Sequence, residues 1–89
     1  MRIVWDETKL EANLRKHALD FADAEHVFSG LTYTVADKRY AYGGQRFITL
    51  GLLHETVALV AHTETSSEIR VISMRKATRH EQTLYFQNI

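Results

Sequence analysis

The spacing of apolar and polar positions changes along the chain, and each change marks an element. Ile3, Val4 and Trp5 form a short apolar run that reads as a strand. Asp6 then stands where a helix N-cap belongs, with Trp5 before it and Leu10 beyond it placed as a hydrophobic staple. Leu10, Leu14, His17 and Ala18 follow at helical spacing, so a first helix is predicted from near Glu7, with Lys9, Glu11, Asn13, Arg15 and Lys16 mostly on its outer side. Asp20 caps a second helix with Phe21, Ala24 and Phe28 on its inner face, Asp23 in its first turn and Ser29-Gly30 at its end. After Gly30 the period shortens. Leu31 to Ala36, Arg46 to Leu53, Thr56 to His62 and Ile69 to Met74 are β-branched, aromatic or aliphatic runs, separated by turn signals at Gly43-Gly44, His54-Glu55 and Thr65-Ser66-Ser67. Connections of roughly two to ten residues allow hairpins rather than crossover helices, so these strands should form an antiparallel meander. Thr78 and Glu81 then stand at capping-box spacing, and Tyr85 lies one turn beyond Glu81. The predicted order is β-α-α-β-β-β-β-α, an α+β domain in which helices pack a small antiparallel sheet.

Composition narrows the setting. With 89 residues, no internal repeat and no linker-like tract, positions 1–89 read as a single domain. The absence of cysteine removes disulfides, a thiolate nucleophile and Cys-ligated zinc, and fits a reducing compartment. The longest uninterrupted apolar stretch, Val57 to Ala61, is far below the ~20 residues that cross a bilayer, and the N-terminus turns polar at Asp6, unlike a signal peptide. The expectation is a cytoplasmic protein with no membrane contact. Eleven basic and eleven acidic residues cancel, which at face value argues against a grip on nucleic acid through an overall positive field. Locally the balance differs, because residues 69 to 80 hold Arg70, Arg75, Lys76, Arg79 and His80 and no acid. A polyanion would dock there, although pairing of these groups with Glu64, Glu68 and Glu81 would make the same stretch an ordinary solvated edge.

His62 and Glu64 fall on one face of a strand together with Ala58 and Val60, and an imidazole beside a carboxylate can do acid–base work. Arg70 and Arg75 on the next strand could neutralise a phosphate there. A cross-strand pair of Glu64 with Arg70 and an edge histidine is an equally compatible reading. Strand parity adds a condition: Arg70 and Arg75 point to opposite faces unless a bulge intervenes or Arg75 lies past the strand end. His17, His26, His54 and His80 match no metal-ligand pattern, so no metal site is expected, and His17 reads as half-buried scaffold. Gly43-Gly44 precedes a strand and reads as a hairpin turn rather than a phosphate loop. Ser73 has no histidine spaced to activate it. Tyr33, Tyr40 and Tyr42, interleaved with Lys38, Arg39 and Arg46, could stack on bases, but tyrosines on a sheet edge usually pack.

Several of these patches together resemble the BrnT-type toxins of bacterial type II toxin–antitoxin systems, within the wider RelE/ParE-like ribonuclease superfamily. The matching pieces are Trp5-Asp6 with Lys9, Asn13, Lys16 and His17; Phe21 with Ala24 and Val27-Phe28; Arg46 with Gly51; and the run Ile69 to Thr78 followed by Glu81 and Tyr85. Ala18 departs from the glycine usual in the family, so the left-handed turn ending the first helix should be either strained or reshaped. Met74 replaces an alanine, and Ser29-Gly30 replaces an acidic-proline turn. Leu84-Tyr85-Phe86-Gln87 resembles a protease-tag remnant, but Tyr85 falls at the family's tyrosine and is read as native. The resemblance implies a metal-independent endoribonuclease without cofactors that inhibits translation, neutralised by a BrnA-type antitoxin with a ribbon-helix-helix DNA-binding domain. Its substrate would be RNA, free or ribosome-associated, with operator DNA reached only through the antitoxin. On this reading Arg70 and Arg75 hold the phosphate, Glu64 or His62 acts as base or acid, and Lys76, Arg46 and Tyr85 make secondary substrate contacts. The alternative is a module without catalysis that holds the antitoxin and tunes repression of their shared operator.

Overall fold

In a computed structural model that describes residues 1–39 and 44–89, the chain runs β1 (Arg2–Trp5), α1 (Glu7–His17), a 3-10 turn (Phe21–Asp23), α2 (Ala24–Ser29), β2 (Thr32–Asp37), β3 (Arg46–Leu53), β4 (Thr56–Glu64), β5 (Glu68–Lys76) and α3 (Arg79–Gln87). The stacking reading of Tyr40 and Tyr42, and Gly43 of the glycine turn, lie outside the described residues. The caps form as their side chains dictate. Asp6 Oδ1 accepts from the Thr8 and Lys9 amides at 2.8 and 3.2 Å, and Asp20 Oδ1 accepts from Ala22 N at 2.9 Å. Thr78 and Glu81 close a reciprocal capping box at the start of α3.

The sheet order is β1-β5-β4-β3-β2. Strands β2 to β5 form the antiparallel meander, but β1 runs parallel to β5, pairing Arg2 with Glu68 through Trp5 with Val71. The sheet is therefore mixed rather than purely antiparallel. Short loops constrain only successive strands, whereas the partner of β1 lies at the far end of the chain and leaves no local trace.

The two faces carry two cores. Phe21, Ala24 and Val27 pack on Leu53, Ala58, Val60, Val71 and Met74, joined by Trp5, whose ring meets Phe21 edge-on at 6.4 Å. The fully buried side chains of α2 are Ala24 and Val27 rather than Phe28, and Val27 sits against Gly51, where an added Cβ would come within 2.8 Å of Val27 Cγ1. On the opposite face Tyr85 and Ala77 pack on Leu50, Val57 and Leu59.

α1 does not lie squarely over the sheet. Leu14 is 41% exposed, while Asn13, expected outside, is buried. The helix rides on the edge of β5 beyond the end of β1. There Asn13 Oδ1 accepts from Met74 N at 3.0 Å, and Asn13 Nδ2 donates to Leu19 O at 2.9 Å. One amide thereby satisfies an edge-strand donor and a loop carbonyl.

Of the two outcomes open for Ala18, the left-handed turn is kept, at φ 58° and ψ 25°. Ala18→Gly should therefore stabilise the domain by about 0.5–1 kcal/mol, the steric relief exceeding the added freedom of the unfolded chain. Thermal unfolding should show a rise of a few degrees.

Candidate nucleic-acid interface

Placing α1 along β5 leaves a cleft of about 640 Å³ between them. Its chemically active lining is Lys9, Lys16 and His17 from α1, Ser73 and Arg75 from β5, and Arg39 from beyond β2. No aspartate or glutamate is among the described residues that line it. Lys9, Asn13 and Lys16 recur at i, i+4 and i+7, so the helix turns them to one side. Lys9, Lys16, Arg39 and Arg75 thereby bring four basic side chains to one cleft of a protein whose formal net charge is zero.

Two of the cations are held from behind. Arg39 grips Asp37 with two hydrogen bonds of 3.0 Å, which holds that carboxyl below its usual range. Arg75 forms a bidentate pair with Glu81 at 2.8 and 2.9 Å and also donates to the Lys76 carbonyl. The guanidinium beside Glu81 holds its carboxyl down to about 2, and Glu81 in turn keeps the Arg75 pKa above its ordinary value. Arg75 remains 35% exposed, and a guanidinium has more donors than one carboxylate can use. It therefore presents a pre-aimed cation to the cleft.

The residues singled out in the sequence separate onto two faces. β5 carries a bulge: Ala61 pairs with Ser73 and His62 with Val71, leaving Ile72 as the extra residue. This shift is what places Arg70, opposite Thr63, on the same face as Arg75, opposite Leu59. Along the strand the two are separated by four register steps, ~13 Å at ~3.3 Å per residue. Arg70 is exposed, with no hydrogen bond or ion pair among the described residues, so the pairing with Glu64 does not form. Arg46 begins β3 on that same face, opposite Asp37.

His62 and Glu64 share a face as the strand period predicts, but it is the other face, under α2. His62 is 0% exposed between Phe28 and Phe47, with Nε2 in a 2.7 Å hydrogen bond to Thr49 Oγ1, which is bonded in turn to Thr34 Oγ1 at 2.7 Å. Its Nδ1 has no hydrogen-bond partner and lies 3.5 Å from Glu64 Oε1. An imidazole sealed in the core cannot reach a substrate, so the expected grouping of His62 and Glu64 with Arg70 and Arg75 is not what the fold assembles. Lys76 also faces away from Arg75, beside Leu53 and Ala58. Tyr85 is 1% exposed, and its hydroxyl donates to Leu31 O at 2.9 Å, which anchors α3 to the start of β2.

Burial pushes the His62 pKa from 6.5 down to about 4, the Thr63 main chain opposing this in part. The folded pKa is depressed, so the unfolded chain binds the proton first. Stability is then full above about pH 6.5 and declines as pH falls toward 4, by up to ~3 kcal/mol. Denaturant melts of wild type and His62→Leu across this window should show the decline only in the wild type.

Sequence reasoning passed over Lys9 and Lys16 as outer positions and His17 as scaffold. The available signal was their stripe on α1 together with the long-side-chain cations that recur at Arg39 and Arg75. Among the described residues no three His, Asp or Glu side chains gather as a metal site, and no helix is long and apolar enough to cross a membrane.

A family profile described as the ribonuclease toxin BrnT of type II toxin–antitoxin systems matches residues 5–81, nearly the whole domain. The chain belongs to the BrnT family. The crystal structure of the Brucella abortus ribonuclease toxin BrnT, solved at 1.1 Å, superimposes with a TM-score of 0.66 at 32% sequence identity, covering 89% of this chain and 99% of that one. No curated protein sequence matches. BrnT membership makes the chain a ribonuclease toxin of a type II toxin–antitoxin system and so implies an antitoxin partner. The matched span contains every described residue of the cleft, from Lys9 to Arg75.

Proposed function

We propose that this BrnT-family chain cuts RNA in the cleft between α1 and β5, without a metal ion, and thereby arrests translation in the cytoplasm until a BrnA-type ribbon-helix-helix antitoxin covers it. The observation that carries this reading is the cationic lining of Lys9, Lys16, Arg39 and Arg75 beside His17, free of carboxylates among the described residues. Metal-independent RNA cleavage uses the RNA's own 2′-oxygen as nucleophile on the adjacent phosphate, and its crowded anionic transition state needs fixed cations. Arg75, braced by Glu81, supplies one with its direction already set. Arg70, ~13 Å along the same face, is placed for a neighbouring phosphate of the strand. Arg46 on that face extends the track. Lys76, Glu64 and His62 lie on the other face and take no part in this reading.

The zero net charge supports a further element of the proposal: with little long-range field, affinity for free RNA should rest on few phosphate contacts, or on a ribosome that presents the strand. The test is cleavage of a defined RNA by purified chain in the presence of a chelator, alone and with the antitoxin. Cleavage that persists with chelator and stops with antitoxin is expected. Tight antitoxin binding by a folded chain that cuts no RNA would instead establish the alternative, a module acting in operator autoregulation.

A further inference from the structure

We infer that His17 takes the proton from the attacking 2′-hydroxyl. This rests on the ribonuclease reading above and adds the group that activates the nucleophile. His17 is the last residue of α1, half-buried in the cleft wall, and the left-handed Ala18 turns the chain away directly after it. The charged groups that line the cleft with it are Lys9 and Lys16 on its own helix, Arg75 on β5 and Arg39 beyond β2.

Ammonium and guanidinium groups carry no free lone pair; they stabilise an anion or donate a proton but do not accept one. Asn13 is committed through both amide atoms, to Leu19 O and Met74 N. The Ser73 hydroxyl is no base without a partner to activate it. Among the described lining residues, that leaves the His17 imidazole as the side chain with a ring nitrogen able to accept the 2′-O–H proton. The remaining histidines are elsewhere: His62 is in the core, His26 and His54 face each other at the end of α2 and the β3–β4 turn, and His80 is on the exposed first turn of α3.

In the step, an imidazole nitrogen of His17 accepts the 2′-O–H proton as the 2′-oxygen bonds to phosphorus and the P–O5′ bond breaks. The departing 5′-oxygen takes a proton from a lysine ammonium of the cleft. Water returns that proton to the lysine and removes one from the imidazolium. The products are a 2′,3′-cyclic phosphate and a 5′-hydroxyl, with no redox partner and no net consumption of water.

The experiment measures kcat and KM for a short single-stranded RNA between about pH 5 and 8, the interval in which imidazoles lose their proton. Wild type should gain rate with pH. His17→Gln should lose 10²- to 10⁴-fold in kcat, with KM within about threefold and the pH dependence flattened. Free imidazole should restore part of the activity of His17→Ala, a rescue that a purely structural role would not show. Unchanged kcat and pH profile in His17→Gln would overturn the inference, as would a lowered kcat that keeps the wild-type pH profile and ignores imidazole. A folded wild type that cuts no RNA would instead overturn the ribonuclease reading itself.

Discussion

Asn13→Ala should destabilise the domain by about 2–5 kcal/mol, the largest effect on folding expected of a single substitution outside the apolar cores. The side chain is small and polar, and helix propensity alone would favour the change. The cost arises at its partners. β5 continues past the end of β1, so the Met74 amide faces an edge with no strand beside it, and Asn13 Oδ1 is its acceptor at 3.0 Å. The Leu19 carbonyl depends on the same amide through Nδ2 at 2.9 Å. Alanine leaves both groups without their partner, at about 1–3 kcal/mol each where water cannot replace it. Asn13→Asp keeps the acceptor and loses the donor, and should fall between alanine and wild type. Chemical denaturation measures all three, and a drop in melting temperature of roughly 10 °C or more should accompany the alanine variant. Because Asn13 also fixes α1 against β5, it fixes the distance across the cleft.

Arg75→Ala should reduce RNA cleavage by 10²- to 10³-fold, the loss typical of removing one pre-aimed donor from a developing anion. The same change should loosen α3, since Glu81 then loses the partner that holds its carboxyl down to about 2. Both partners are partly solvated, so the stability cost should be only about 1–2 kcal/mol. Arg75→Lys keeps the charge without the fork and should retain an intermediate rate. Glu81→Gln separates the roles: it removes the brace and leaves the cation, so cleavage should fall far less than in Arg75→Ala while stability falls comparably. Single-turnover cleavage alongside denaturant melts resolves the two effects.

How much of this was legible beforehand follows from how local each cause is. Asp6, Thr78 and Glu81 announce helix starts because a cap needs only residues within one turn, and all three act as their positions predict, whereas Asp20 caps the 3-10 turn that leads into α2 rather than α2 itself. The meander is equally readable from its short turns. The parallel pairing of β1 with β5 joins opposite ends of the chain, so it is absent from any local pattern. The grouping of the candidate site residues was hidden for a related reason. Strand parity correctly placed His62 with Glu64, but parity does not say which face is covered, and α2 covers theirs. The bulge at Ile72 met the stated condition for Arg70 and Arg75 to share a face, yet an apolar run gives no sign of where an extra residue sits. Lys9, Lys16 and His17 were visible as a helical stripe, and only the placement of α1 on a strand edge gives that stripe a partner in Arg75.

The claim that RNA occupies the cleft between α1 and β5 is tested most directly by photo-crosslinking a short RNA carrying 4-thiouridine to the purified chain and mapping the modified peptides. The account predicts crosslinks in the peptides spanning Lys9 to His17 and Ile72 to Lys76, competed away by unlabelled RNA and lost in Arg75→Ala. Crosslinks confined to α2 and the β3–β4 turn would contradict it.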